Sequence, residues 1–183
     1  MKEQVNTYRL VGPKGGTIKS IIHLSDLHIR GDSDKESCRY REYISVFDNL
    51  FADLKEISSI KSKNAIIVIT GDIFHHKNRF SAVTIEIFSY LLQHLSEIAP
   101  VYMILGNHDY NSILYDTPDM LECFHLENVT YMKETGIYYL GDDFALSVVS
   151  VKDTLLMGAS SGMKESLPEI PYDASIPVKI ALF

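Results

Sequence analysis

The run AIIVIT (Ala65–Thr70) constrains the possible folds more than any other stretch, because it is an almost unbroken series of β-branched residues. Such a run is typical of a strand that is buried on both faces, as the strands of parallel sheets are. The apolar runs SIIHLS (Ser20–Ser25) and VYMIL (Val101–Leu105) predict two further buried strands.

Helical periodicity separates these three predicted strands. Between Tyr40 and Ile60 apolar residues recur every three or four positions, which predicts an amphipathic helix. A second helix is predicted over Ser81–Ile98, with Ser81 as its N-cap and Pro100 beyond its end. The order strand, helix, strand, helix, strand indicates an α/β fold with a parallel sheet that is covered by helices.

The pattern changes in the second half of the chain. TPDMLECF predicts a short helix with Thr117 as its N-cap, and short strands are predicted in VTYM, GIYYL, FALSVVSV and TLLMGA. A loop, PEIPYDASIP, then leads to a last buried strand, Val178–Phe183. Since 183 residues suit one ordinary domain, we assign residues 1–19 to an N-terminal extension and residues 20–183 to the domain.

Composition and charge exclude several classes of protein. Hydrophobic residues make up 46% of the chain, which argues against disorder. The chain has no long apolar run and no secretory pattern at its N-terminus, so we expect no membrane span and an intracellular protein. Two cysteines, Cys38 and Cys123, are too few for a disulfide framework. A net charge of −7 does not favour binding of a polyanion, although a metal site can supply local positive charge.

A cluster of polar residues follows each of the first three predicted strands. The clusters are SDLH with Asp26 and His28, TGDIFHH with Asp72, His75 and His76, and GNHD with Asn107, His108 and Asp109. Because the carboxyl ends of parallel strands meet at one edge of a sheet, we expect the clusters to converge there. Asp26 and His28 are two positions apart, so an extended backbone would direct both side chains to the same side. Gly71 and Gly106 would let the chain turn sharply and approach a ligand closely.

The residue types in these clusters indicate a metal site. Carboxylate, imidazole and amide oxygen together suit divalent transition metals, mainly manganese, iron or zinc. The absence of a nearby thiol argues against a structural zinc site. A carboxylate placed between two ions can bridge them, and two ions roughly 3.5–4 Å apart can bind a phosphoryl group and generate hydroxide at neutral pH.

These motifs resemble those of the calcineurin-like metallophosphoesterase superfamily, whose pattern runs D-x-H, G-D and G-N-H-[D/E], then a lone His and G-H-x-H. The resemblance implies a four-layer α/β/β/α sandwich. It implies that Asp26 and His28 bind one metal ion, that Asp72 bridges two ions and that Asn107 binds the second. It also implies that His108, held by Asp109, contacts the substrate phosphate or protonates the leaving oxygen.

Within the superfamily, TGDIFHHKNRFS is similar to the SbcD-type nucleases of DNA double-strand-break repair. This implies hydrolysis of DNA phosphodiesters by hydroxide that two metal ions activate, with Mn²⁺ expected and iron or zinc as alternatives. It implies that His75 helps to handle the phosphodiester. It implies two partners as well: an ABC-type ATPase with coiled coils, and a second copy of the chain in a homodimer.

Basic residues beside the predicted site could contact the backbone phosphates of a nucleic acid: Arg30, Lys77 and Arg79. The alternative interpretation is that they are solvated loop charges. Two other functions also stay open. The first is a phosphomonoesterase or nucleotide phosphodiesterase with the same core, and the second is a non-catalytic scaffold that has lost its metal ligands. Salt-sensitive binding to long polyanions would distinguish the nuclease from a small-molecule phosphatase.

The sequence departs from the superfamily pattern after its third motif. No lone His follows at a fitting place, and no G-H-x-H is present in the sequence. We therefore expect that the C-terminal part of the domain is missing. We also expect that the second metal site is incomplete and that the chain binds manganese weakly.

Overall fold

The computed structural model describes residues 5–31, 37–76, 80–110, 119–154 and 172–182. The strands are β1 (Thr7–Arg9), β2 (Ser20–Leu24), β3 (Ala65–Ile69), β4 (Val101–Met103), β5 (Val129–Tyr131), β6 (Gly136–Tyr139), β7 (Phe144–Val148) and β8 (Val178–Leu182). The helices are α1 (Ser37–Glu56), α2 (Ser58–Lys61) and α3 (Ala82–Ile98), and a short 3-10 helix spans Met120–Cys123. Within the described ranges, no helix is both long and apolar enough to cross a membrane.

The predicted α/β class is confirmed, because helices alternate with parallel strands in the first half of the chain. The chain divides into two compact units: Pro13–Tyr131, and Met1–Gly12 together with Met132–Phe183. The strand β1 lies in the stretch that we assigned to an extension, and it pairs with β6. The division into residues 1–19 and 20–183 stays a prediction.

The unit Pro13–Tyr131 contains a four-stranded sheet in the order β2-β3-β4-β5, and all of its pairs are parallel. The parallel sheet predicted for the first three strands is therefore confirmed. Every residue of β3 is buried, as expected for a central strand. The prediction that β2 is buried was wrong, because its residues are half-buried or exposed. β2 lies at the edge of the sheet, where only one neighbouring strand covers it.

The helices α1 and α3 pack side by side. The Phe51 ring stacks on His94 with 4.9 Å between centroids and lies 6.0 Å from the Tyr90 ring. The prediction of one continuous helix from Tyr40 to Ile60 was wrong. Ile57 is extended, with a ψ of 127°, and it separates α1 from α2. The apolar period continues through this break because α2 still buries Ile60. Periodicity alone therefore could not locate it.

The predicted N-cap of α3 is confirmed. Ser81 has extended backbone angles, and its Oγ accepts a hydrogen bond from the N–H of Thr84 at 3.1 Å. The same hydroxyl donates to the carbonyl oxygen of Gly31 at 2.6 Å. Ser81 therefore begins the helix and also holds the loop that follows β2.

We expect Ser81→Ala to lower the free energy of unfolding by about 1–2 kcal/mol, because both hydrogen bonds of the hydroxyl are lost. Ser89→Ala is the matched control in the same helix, since its Oγ bonds only the carbonyl of Ile85 four residues earlier. This control should change stability by less than about 0.5 kcal/mol. Urea denaturation of the two variants tests the prediction, and equal stabilities would contradict it.

The second unit contains a mixed sheet in the order β1-β6-β7-β8. β1 and β8 pair in parallel with their neighbours, and β6 pairs antiparallel with β7. Tyr8 and Tyr138 stack across the parallel β1–β6 pair with 4.4 Å between their ring centroids. β8 is only partly the buried strand predicted, because Leu182 is buried and Val178 is 49% exposed at this edge of the sheet.

Three boundaries in the second half of the sequence differ from prediction. The strand predicted for FALSVVSV ends at Val148, and residues 151–154 are helical. The strand predicted for TLLMGA begins in that helical turn, and its residues 155–159 lie outside the described residues. The 3-10 helix has Asp119 as its N-cap residue, and the predicted N-cap Thr117 lies, with Pro118, outside the described residues.

Candidate metal centre

The loops that follow β2 and β3 run side by side beyond the ends of the strands. The N–H of Asp26 donates to the carbonyl oxygen of Gly71 at 3.2 Å, and the N–H of His28 donates to that of Asp72 at 2.9 Å. The parallel pairing of the sheet thus continues into the loops. As a result, the polar clusters SDLH and TGD lie next to each other.

Three side chains from these loops form a group that could hold a metal ion. One ligand atom from each of Asp26, His28 and Asp72 lies within 4.8 Å of the others. Neighbouring ligand atoms that bind one ion at about 2.1 Å are about 3.0–3.4 Å apart, so the three side chains would move closer together around a bound ion. The carboxylate and imidazole set suits Mn²⁺, Fe²⁺ or Zn²⁺.

The imidazole of His28 supports a ligand role. Its Nδ1 atom is buried and has no hydrogen-bond partner among the described residues. Its Nε2 atom lies 3.9 Å from Oδ1 of Asp26. Burying a polar atom without a partner is costly, and a bound cation would remove that cost. The residues present therefore fit a divalent metal ion.

The backbone at all three residues is left-handed. The φ angles are 55° at Asp26, 43° at His28 and 50° at Asp72. The expectation of an extended backbone between Asp26 and His28 was therefore wrong, although the two side chains do lie close together. Left-handed backbone is uncommon outside glycine and costs of order 1–3 kcal/mol per residue, and such residues cluster at functional sites.

The glycines of the GD and GNHD motifs bring two loops into contact. A Cβ atom on Gly71 would lie 2.0 Å from the backbone nitrogen of Gly106, and one on Gly106 would lie 2.2 Å from Oδ1 of Asp72. Gly71 also has a φ of 89°. We expected these glycines to let the chain approach a ligand, whereas in the structure the loops after β3 and β4 approach each other.

The Asp109 side chain links the loops after β3 and β4 by hydrogen bonds. Its side chain is only 4% exposed, and its carboxylate accepts backbone hydrogen bonds from Ile73 at 3.2 Å, Phe74 at 2.9 Å and Gly106 at 2.9 Å. Burial raises the pKa of this carboxyl, the three hydrogen bonds oppose the shift, and the negative charge of Asp72 raises the pKa further. Among the described contacts, the carboxylate has no bond to the His108 ring, so Asp109 acts on the backbone beside it.

Three imidazoles gather at this edge of the sheet. The His28 ring lies 5.0 Å from the His108 ring and 6.0 Å from the His75 ring, both in edge-to-face arrangements. The backbone N–H of His108 donates to Oδ1 of Asp72 at 3.0 Å. Desolvation lowers the pKa of His75, and the positive charge of Arg30 lowers it further. Both effects favour the neutral form of the His75 imidazole.

The structure describes two of the four remaining residues that were predicted for the site. Asn107 is exposed in the turn 107–109, next to Gly106. Arg30 is half-buried in the loop after β2, and its charge acts on His75. Lys77 and Arg79 lie outside the described residues.

Prediction from the sequence missed a residue that orients the first carboxylate. The hydroxyl of Ser25 donates to Oδ2 of Asp26 at 2.6 Å, which leaves Oδ1 facing His28. The signal was present in the motif SDLH, since a serine directly before a ligand carboxylate can bond it. Such local bonds depend on the turn conformation, which the sequence pattern did not provide.

Three further histidines, His23, His94 and His125, lie outside the polar clusters that follow the first three strands. Nε2 of His23 lies 2.7 Å from Oγ1 of Thr70, and Nδ1 of His94 lies 2.9 Å from the carbonyl oxygen of Tyr90. His125 is exposed after the 3-10 helix and lines an open cavity of about 750 Å³. None of the three is in the candidate metal group that the described residues form.

The chain is similar to known proteins over most of its length. Residues 19–169 match the family model described as Calcineurin-like phosphoesterase. The chain is also similar to an uncharacterized protein of Acanthamoeba polyphaga mimivirus, with 37% identity over 171 residues. This match covers 91% of the chain and 12% of that viral protein, so the chain spans only a small part of its relative's length.

Proposed function

Because the chain belongs to the calcineurin-like phosphoesterase family, we propose that it is a metal-dependent phosphoester hydrolase whose substrate is DNA. The observation that supports a catalytic role is the group of Asp26, His28 and Asp72, whose ligand atoms lie within 4.8 Å of one another. Two carboxylates close together repel each other, and a bound cation turns this repulsion into attraction.

In this proposal Asp26, His28 and Asp72 would hold one ion, and Asp72 and Asn107 would hold a second. The proposed metal is Mn²⁺, with iron or zinc as alternatives. When bound, such ions supply positive charge that polarises the phosphoryl group and lowers the pKa of a water. Ser25 keeps Asp26 in place through its hydrogen bond to Oδ2.

The histidines handle the substrate and the proton. In the proposed step a water oxygen would form a bond to phosphorus and lose a proton to the solvent as the bond from phosphorus to the ester oxygen breaks, and His108 would donate a proton to that leaving oxygen. Its backbone is fixed because its N–H bonds Asp72. The lowered pKa of His75 favours the neutral imidazole, which keeps one ring N–H that could donate to a phosphate oxygen.

The proposal of DNA as the substrate is supported by the similarity of the segment GDIFHH to repair nucleases and by the position of Arg30 beside His75. Arg30, Lys77 and Arg79 would contact backbone phosphates, which do not depend on base sequence. Because the net charge is −7, binding must rely on this local positive charge and on the metal ions.

The test compares three substrates with the purified chain: bis-p-nitrophenyl phosphate, p-nitrophenyl phosphate, and a labelled DNA duplex with blunt ends. We expect slow Mn²⁺-dependent cleavage of the diester and of DNA, abolished by a chelator and restored by added Mn²⁺. Preferential cleavage of the monoester would instead identify a phosphomonoesterase. Failure to bind Mn²⁺ or to cleave any of the three would favour the scaffold.

Two partners also stay predictions for this chain: an ABC-type ATPase with coiled coils and a second copy of the chain. The viral relative is much longer than the matched region, which covers 12% of it. Sedimentation of the purified chain over a range of concentrations tests the homodimer directly.

A further inference from the structure

The segment from His28 to Gly31 is held on two sides. On one side, Ile29 pairs with the loop after β3: its N–H donates to the carbonyl of Ile73 at 2.8 Å, and its carbonyl accepts from the N–H of His75 at 3.1 Å. On the other side lie contacts from the helices, including the bond from Ser81 to the Gly31 carbonyl at 2.6 Å. The conformation of this segment thus depends on tertiary contacts.

Tyr43 of α1 makes the helix contact nearest to the metal group. Its hydroxyl donates to the carbonyl oxygen of His28 at 3.2 Å and accepts from the N–H of Arg30 at 3.3 Å. The two bonds fall on either side of Ile29, whose side chain is 1% exposed. One hydroxyl therefore forms hydrogen bonds with two backbone groups, the His28 carbonyl and the Arg30 N–H. These groups flank Ile29 and point away from the loop after β3.

The His28 backbone needs such support, because its φ of 43° lies in the left-handed region. A non-glycine residue leaves this region unless its surroundings hold it there. The Nδ1 atom of its side chain has no hydrogen-bond partner among the described residues, so no hydrogen bond at that atom holds the ring. The direction of the imidazole is therefore set by the backbone, and the backbone is fixed by its hydrogen bonds.

Packing alone does not explain the hydroxyl of Tyr43. The residue lies in the apolar stripe of α1, with its ring 6.0 Å from that of Phe47. A phenylalanine would fill the same place in the core and would have no polar group to satisfy. The hydroxyl has the His28–Arg30 backbone as its partner, which points to a role in the loop and not in the core.

We propose that Tyr43 is a positioning residue, whose hydroxyl holds the His28–Arg30 backbone in the conformation that directs the His28 imidazole towards Asp72. This inference rests on the proposed function in one respect, namely that His28 binds a metal ion. Residues that orient a ligand from outside the coordination sphere typically account for about 10–100-fold in metal affinity. Tyr43 would act in this way through the backbone.

The test uses Tyr43→Phe with Tyr90→Phe as the matched control. The Tyr90 hydroxyl lies on α3 and donates to Oδ1 of Asp48 on α1 at 2.5 Å. It therefore links the two helices, whereas the Tyr43 hydroxyl bonds the loop that carries His28. Each variant loses one phenol hydroxyl and keeps the ring. Thermal melting of the metal-free variants shows whether both still fold.

Two readouts follow. Titration with Mn²⁺, detected by electron paramagnetic resonance, should show affinity lowered about tenfold in Tyr43→Phe and unchanged in Tyr90→Phe. Amide hydrogen exchange of the metal-free chain should be about five- to tenfold faster at His28, Ile29 and His75 in Tyr43→Phe only. The Arg30 amide is the internal check, because it loses its own acceptor.

The second readout separates this inference from the proposed function. If the unmodified chain binds no Mn²⁺, the proposed function fails, and the exchange rates still decide whether Tyr43 holds the loop. If exchange at His28, Ile29 and His75 is the same in both variants, the positioning role is overturned. An equal loss of Mn²⁺ affinity in the two variants would also overturn it.

Discussion

Replacing Asp72 by asparagine should weaken divalent-metal binding at least about 100-fold and should leave the fold of the metal-free chain intact. Asparagine retains an oxygen in the position of Oδ1, which accepts the N–H of His108 at 3.0 Å. It also tolerates left-handed backbone better than most residues, and the φ of Asp72 is 50°. The substitution therefore removes the negative charge from the metal group and little else.

The size of the effect follows from the position of Asp72 beside Asp26 and His28. Loss of a residue that only orients a ligand costs about 10–100-fold in metal affinity, so loss of a charged ligand should cost at least about 100-fold. Metal-free stability should be unchanged or slightly higher. The reason is that the charge of Asp72 raises the pKa of the buried Asp109 carboxyl by repulsion, and Asp72→Asn removes this charge.

The measurements are Mn²⁺ titration, diester hydrolysis, and urea denaturation without metal. Asp53→Asn is the control, because Asp53 is exposed on α1 and its replacement makes the same change in net charge. The control should match the unmodified chain in all three. Wild-type Mn²⁺ affinity in Asp72→Asn would show that Asp72 is not a ligand, and a large loss of metal-free stability would show that its charge serves the fold.

The proximity of Asp26, His28 and Asp72 followed from topology that the sequence could predict. The β-branched run of β3 and the two helical periods indicated parallel strands, and parallel strands place their carboxyl ends at one edge. Polar residues directly after such strands must then meet. Only the element order and the period of apolar residues were needed for this step.

The backbone conformations at the site could not be predicted in the same way. Left-handed φ at Asp26, His28 and Asp72 is imposed by hydrogen bonds from other parts of the chain, and sequence periodicity carries no information about those bonds. The same limit explains the break at Ile57, since the turn that separates α1 from α2 keeps the apolar residues in phase. The contact of Tyr43 with the loop was hidden because a tyrosine in an apolar stripe predicts only burial.

Replacing Gly71 by alanine should destabilise the chain strongly, and more than the same replacement at Gly16. The added Cβ would lie 2.0 Å from the nitrogen and 2.4 Å from the Cα of Gly106, and 2.7 Å from the carbonyl carbon of Leu105. These are backbone atoms, so no side-chain rotation relieves the overlap. The left-handed φ of 89° adds a further cost. Together these effects should lower the free energy of unfolding by about 3–5 kcal/mol.

Gly16→Ala separates the two causes, because Gly16 has a similar φ of 83° and a Cβ there would have no atom within 4 Å. Gly16→Ala should lower the free energy of unfolding by about 1–2 kcal/mol, which is the effect of the left-handed backbone alone. The difference between the variants in urea denaturation then measures the contact between the loops after β3 and β4. Since that contact places Asp72 beside the GNHD turn, Gly71→Ala should also weaken Mn²⁺ binding, whereas Gly16→Ala should not. If Gly71→Ala and Gly16→Ala had equal stabilities, the loops after β3 and β4 could separate at little cost. Gly71 would then be needed for its left-handed turn and not for the contact between the loops.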